Sequence, residues 1–242
     1  MTGLTMPPAG QRLHHTLARF DALRQHQDAG FRARLAQLQQ HQRQRLLRSH
    51  ADLFQGPALA AAANFLLHDV YGGRDLKPVA QDIRRALPKA LRLLPERVMA
   101  TSADVLDTAV LTQELDEALL DALGDDPLDD AHYAAAYRRL DQRAQRLQQF
   151  QLLASAGLAT GRLVHSRVVR TTFRWVERPA RNAGLAALYE FLQQAFAALA
   201  PVPDVAALVT TLTARERVIM QRLLDADPHP FGPVLLTETC HG

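Results

Sequence analysis

The sequence predicts an all-α protein. Apolar residues recur at steps of three and four along most of the chain, and no segment sustains the strict alternation of a strand. Ala, Leu, Gln and Arg dominate, while aromatic residues make up only 6%, which favours helices over a β-rich core. With 242 residues and 48% hydrophobic content, the chain can bury a sizeable core. The expected architecture is a single helical, bundle-like domain of about eight or nine helices covering residues 11–226, opened by an N-terminal helical pair or one long helix.

Residues 1–10 are expected to be a disordered N-terminus, and residues 11–56 a basic helical segment. Leu13, Leu17 and Phe20 share one stripe; Asp28-Ala29-Gly30 interrupts it, and Phe31, Leu35 and Leu38 resume it. Gly56-Pro57 ends the segment and opens a helical core over residues 57–226. Its first helix, Ala58 to Tyr71, aligns Leu59, Ala63, Leu66, Leu67 and Val70, with Gly72 as its left-handed C-cap. Asp75 caps the next helix, which has Pro78 in its first turn and reaches Leu87, before a short turn of helix from Pro88.

A long helix then runs from Pro95 to Leu123, with Val98, Val105, Leu106, Ala109, Val110 and Leu120 inward and Thr101-Ser102 as a second candidate start. Residues 124–129 are the clearest loop, and Asp129 or Asp130 caps a helix expected to reach Ala154. Gly157 and Gly161 are spaced to let another helix approach, within a stretch that reaches Glu177. Pro179 opens the next helix, which ends near Ala200, and a last helix spans Asp204 to Leu224. Residues 227–242 read as a flexible tail. It holds the single cysteine, Cys240, so an internal disulfide and a thiolate metal cluster are both excluded.

Met1 to Gly10 lacks the basic start and apolar core of a signal peptide. The longest apolar run, Ala58 to Leu67 interrupted by Asn64, is far below the roughly 20 residues a membrane span needs. We therefore expect a soluble cytoplasmic protein with no membrane association. Arginine outnumbers lysine 26 to 2, which reads first as the mark of GC-rich bacterial coding.

The densest stretch chemically is residues 64–75. His68 and Tyr71 share the face of Asn64, whereas Asp69 sits about 100° round the helix with Phe65, so His68 and Asp69 do not serve one bound atom. Phe65-Leu66-Leu67-His68-Asp69-Val70-Tyr71-Gly72 resembles the signature of the bacterial FFLEELY motif proteins, an uncharacterised family of roughly this size. Phe65, Leu67, Tyr71 and Gly72 match, Asp69 is a conservative substitute for the second acid, His68 stands where the first glutamate belongs, and Leu66 where the second phenylalanine does. Leu87-Pro88, Leu94-Pro95 and Leu188-Tyr189-Glu190-Phe191-Leu192 with Ala195-Phe196 resemble further features of that family, over residues 60–225. The resemblance implies a fold class and no reaction.

Charge falls in blocks. Residues 11–50 carry eight arginines against Asp21 and Asp28; residues 98–137 hold ten acids and no Lys or Arg; residues 138–181 hold ten arginines against Asp141 and Glu177. Arg167, Arg170, Arg174, Arg178 and Arg181 form one basic stripe opposite Val168, Val169, Phe173 and Val176. The preferred reading sets this stripe against the acidic helix bearing Asp104, Asp107, Glu114 and Asp121, or leaves it solvated. The other reading is a site for phosphate, nucleic acid or an acidic partner, since guanidinium groups clamp oxyanions bidentately. The basic N-terminal segment reads as a solvated helical pair or a dimerisation surface. The scarcity of aromatic residues for base stacking and the lack of a helix-turn-helix signature argue against nucleic acid.

No metal-ligand spacing, Gly-x-Ser-x-Gly, Walker loop or dinucleotide fingerprint occurs, and nothing implies a cofactor. His14, His15, His68, His132 and His165 are scattered singly, and Ser49, Ser102, Ser155 and Ser166 lie inside helical patterns. The best candidate polar cluster for holding a general base is His68, Asp69, Tyr71, Arg74 and Asp75. Its structural reading, in which Arg74 pairs with Asp69 or Asp75 and the caps fix the turn, is preferred. The leading expectation is thus a non-catalytic interaction or assembly protein, working as a homo-oligomer or with an acidic protein partner. The alternatives are a helical enzyme or small-ligand binder with a polar pocket at the His68–Asp75 turn, and a binder of phosphate-bearing ligand or nucleic acid through Arg167–Arg181.

Overall fold

The computed structural model describes residues 8–25, 28–70, 76–93 and 96–234. Along these the chain forms α1 (Pro8–Gln25), α2 (Ala29–Ser49), α3 (Pro57–Phe65), a π-helical turn (Leu66–Val70), α4 (Lys77–Leu93), α5 (Glu96–Leu123) and α6 (Asp130–Leu140). It continues through α7 (Arg143–His165), α8 (Arg167–Trp175), α9 (Glu177–Asn182), α10 (Ala186–Leu199) and α11 (Val205–Leu224). Among the described residues there is no strand, and the α-helices number eleven, not the expected eight or nine.

The extra helices come from breaks that apolar periodicity does not register. Asp141 enters the left-handed region at φ 42° and cuts the expected helix to Ala154 into α6 and α7, a conformation a short polar side chain tolerates. The chain then stays helical through residues 154–157 and breaks instead at Ser166. That serine was expected mid-helix, but its extended backbone and its hydroxyl, accepting from Val169 N, make it the N-cap of α8. Gly184, at φ 71°, separates α9 from α10. Its N–H donates to the Arg181 carbonyl and that of Leu185 to the Ala180 carbonyl, a paired C-terminal closure that needs a left-handed residue.

Elsewhere helices fuse or shift. α4 runs unbroken through Pro88, which is exposed while the neighbouring Leu87 and Leu91 hold the helix on the core. α5 has no break at Thr101-Ser102. α1 starts at Pro8, within the expected disordered N-terminus, and buries Ala9. Residues 227–234, expected in a flexible tail, lie on the core: Val234 is buried and the Phe231 ring meets Tyr133 edge-on at 6.0 Å. Gly72, Leu94-Pro95 and Cys240 lie outside the described residues.

Three apolar clusters hold the fold. One gathers Leu35, Leu38, Leu119, Leu123, Tyr137, Phe150, Ile219 and Leu223 from α2, α5, α6, α7 and α11. A second packs Leu13, Leu17 and Phe20 of α1 on Ala80 and Leu87 of α4 and on Met99, Leu106 and Val110 of α5. The third joins Ala62 and Phe65 of α3 to Val164, Leu199, Val205 and Val209. α7 and α11 lie close because Gly157 and Gly161 face Val209 and Val205: a Cβ at Gly157 would stand 2.8 Å from the Val209 side chain.

The electrostatic pairing differs from the expectation. The acids of α5 are met by α1 instead of the 167–181 stripe. Arg12 reaches Asp104 at 3.0 Å and Asp107 at 2.6 Å, Arg19 pairs with Glu114, and Thr16 hydrogen-bonds Asp107. The basic N-terminal segment thus lays its apolar stripe and part of its charge on the same neighbour, in place of a solvated pair.

Candidate functional site

α8, like the short α9 after it, has no buried residue. It is anchored by one ring: Phe173 stacks on Tyr189 at 4.6 Å and 8° and touches Phe196 at 4.9 Å. Val169, one turn earlier, is half-buried on the same side. The expected inner row of Val168, Val169, Phe173 and Val176 is therefore half right, since Val168 is 76% exposed and Val176 is also exposed. A nine-residue helix at 100° per residue presents only a narrow inward stripe, and here two side chains fill it.

The outward side carries the charge. Arg167, Arg170 and Arg174 recur at i, i+3 and i+7, all exposed, and among the described residues none of them makes an ion pair. Arg178 is likewise exposed. Arg181 leaves the stripe: it bridges Glu177 at 3.4 Å and Glu190 at 3.0 Å and lies over the Tyr189 ring, so it is part of the scaffold. Beside the arginines stand Val168 and Trp175, also seven apart, with the exposed Thr171 between the two rows. Trp175 is the chain's one tryptophan and is 80% exposed.

A second polar constellation went unrecognised in the sequence. Five helices converge on a cavity of about 30 Å³, lined by Gln42, Arg45, Asp116, Tyr137, Arg146 and Glu216 among others. Arg45 Nη1 and His50 Nε2 both meet Glu216 Oε1, at 2.5 and 2.6 Å. Across the cavity Asp116, 1% exposed, accepts from Gln42 at 3.0 Å and Gln39 at 3.4 Å. Arg146 lies over the Tyr137 ring at 5.0 Å and donates to Gln149, which in turn donates to Thr112 at 2.8 Å.

The two buried carboxyls are driven apart. Burial pushes Asp116 up to about 6, because the Arg146 charge and the amides of Gln42 and Gln39 only partly offset it. Burial also pushes Glu216 up, but the Arg45 charge and hydrogen bonds from His50 and Arg45 together outweigh it and hold the group at about 2. Burial raises the Tyr137 phenol to about 12. The available signal was polar residues on apolar stripes: Leu35, Leu38, Gln42 and Arg45 share one stripe of α2, as do Val209, Thr213, Glu216 and Met220 of α11.

The first sequence-derived cluster lies mostly outside the described residues. His68 is exposed, Asp69 lies in the π turn, and Tyr71, Arg74 and Asp75 lie outside the described residues. No three His, Cys, Asp or Glu side chains converge as metal ligands among the described residues. Nor is any helix there long and apolar enough to cross a membrane. His132 bonds Asp129 at 2.8 Å, and that acid also caps α6.

No curated protein and no solved structure matches the chain. A family model described as a domain of unknown function (DUF8198) matches residues 22–230, most of the length over which these helices pack, and the chain belongs to that family.

Proposed function

We propose that the protein is a non-catalytic interaction protein whose recognition face is the outward side of α8. The observation that carries this reading is a row of exposed arginines without ion-pair partners among the described residues, flanked by an 80% exposed tryptophan. Trp and Arg are the residue types that dominate binding hot spots. A guanidinium with no internal partner can clamp an oxyanion without first breaking a bridge. In the core constellation Glu216 is engaged by Arg45 and His50 and the cavity has room only for a water molecule or two, so the reading rests on the surface. The resemblance of Phe65–Gly72 to the FFLEELY motif signature is compatible with this reading and adds no reaction.

Trp175 supplies the test, because all tryptophan emission arises at the face. Titration with anionic polymers, poly-L-glutamate and inorganic polyphosphate, should change that emission at low salt. The double reversal Arg170→Glu/Arg174→Glu should abolish the response while changing stability by no more than about 0.5 kcal/mol, as for other surface substitutions. A wild-type response to neither polymer nor to an oligothymidylate, or one unchanged in the reversal variant, would overturn the proposal.

A further inference from the structure

We propose that the occupant of the α8 face is single-stranded nucleic acid, with its phosphates on Arg167, Arg170 and Arg174 and a base stacked on Trp175. This inference rests on the interaction face proposed above and names its ligand. Three features of the face select that chemistry.

The face has one sign of charge. α8 contains no carboxylate, and between the arginines and the indole lies the exposed hydroxyl of Thr171, a further donor for phosphate oxygens. Protein interfaces are built the other way round, with charge depleted at the centre and gathered at the rim. Here the centre, Arg170 and Arg174, is charged, and the outward apolar groups of α8 are chiefly Val168 and Trp175. A polyanion needs no apolar centre; a protein partner does.

Lipid is disfavoured by the orientation of the helix. An interfacial helix buries its apolar stripe in the acyl boundary, but the Phe173 ring of α8 is already stacked on Tyr189 and packed against Phe196. Val168 and Trp175 alone make a small insertion surface.

The tryptophan separates nucleic acid from other polyanions. Inorganic polyphosphate and acidic peptides would leave the indole plane without a matched partner, whereas every base has a π face to stack on it. Trp175 follows Arg174 directly, and from Arg167 to Trp175 the helix rises about 12 Å, so one strand can meet arginines and ring in succession. A duplex keeps its bases stacked on one another, whereas a single strand leaves them open to the exposed indole, which points to a single strand.

The test is fluorescence anisotropy of a labelled oligothymidylate of about 15 nucleotides, a length that exceeds most single-fold site sizes. Binding should weaken with salt on a log–log slope of about −2, the value for three neutralised phosphates on a single strand, and Arg170→Gln should make the slope shallower by about 0.7. Trp175→Ala should weaken binding about tenfold or more, and Trp175→Phe should retain most of it. Melting temperatures of the variants should match the wild type. The matched duplex, polyphosphate, poly-L-glutamate and anionic phosphatidylserine vesicles should each bind more weakly than the oligonucleotide. If polyphosphate, poly-L-glutamate or vesicles bind as tightly, or if Trp175→Ala leaves oligonucleotide affinity unchanged, the nucleic-acid assignment falls while the interaction face stands. If no anionic probe binds, both fall.

Discussion

Asp116 and Glu216 line the same cavity yet respond to burial in opposite ways. Glu216 has a guanidinium and an imidazole on one oxygen, whereas Asp116 has only amide donors and a more distant arginine. The consequences for stability have opposite signs. For Asp116 the folded chain holds its proton up to about pH 6, and the unfolded chain releases it near its ordinary value of 3.8, so stability falls as pH rises between these values. For Glu216, held at about 2 in the fold against an ordinary 4.5, the contribution is complete above pH 4.5 and is lost as pH falls toward 2. The two together predict greatest stability near pH 4 to 5, measurable as urea midpoints across pH, with Asp116→Asn removing the decline between about 4 and 6. A profile that rises steadily through that window and is unaltered by Asp116→Asn would contradict the assignment.

At the scale of elements, two contacts show how much a helix pair owes to single positions. α7 can lie on α11 only while residue 157 has no side chain, because the Val209 methyls occupy the space a Cβ would take. Gly157→Ala should therefore destabilise by about 1–3 kcal/mol through overpacking, despite the better helix propensity of alanine. Gly161→Ala, where the nearest atom would be 3.4 Å away, should cost less. Equal effects at both positions in thermal unfolding would argue against this account. The glycine spacing was legible in the sequence. The element it admits was not, since any apolar helix could have filled the gap.

Across the whole molecule, α5 joins the α1–α4 cluster to the central one, and α7 and α11 join the central cluster to that around α3 and α10. A helix shared between clusters transmits loss of packing from one to the next, so the described chain should unfold as one cooperative unit. Leu119→Ala, at a fully buried point of α5, should cost about 2–5 kcal/mol and shift a single transition seen equally by far-UV circular dichroism and tyrosine absorbance. Separate transitions by the two probes would show that the clusters fold apart.

What the sequence by itself determined is local. Apolar periodicity marked the helical class and the inward residues Leu13, Leu17, Phe20, Leu35, Leu38, Leu106, Val110 and Leu120, all of which are packed in the cores, whereas Val105 and Ala109, also expected inward, are half-buried. Asp204 and the loop after Leu123 were equally readable, because a cap or a left-handed glycine acts within one turn. What only the tertiary structure decided is which surfaces meet. Two arginine blocks were equally able to neutralise the acids of α5, and packing of the α1 stripe against α5 chose the first, leaving Arg167, Arg170 and Arg174 outward. Likewise Gln42, Asp116, Arg146 and Glu216 come from four helices far apart in the chain, and periodicity, which relates a residue only to its own turn neighbours, holds no information about which helices converge.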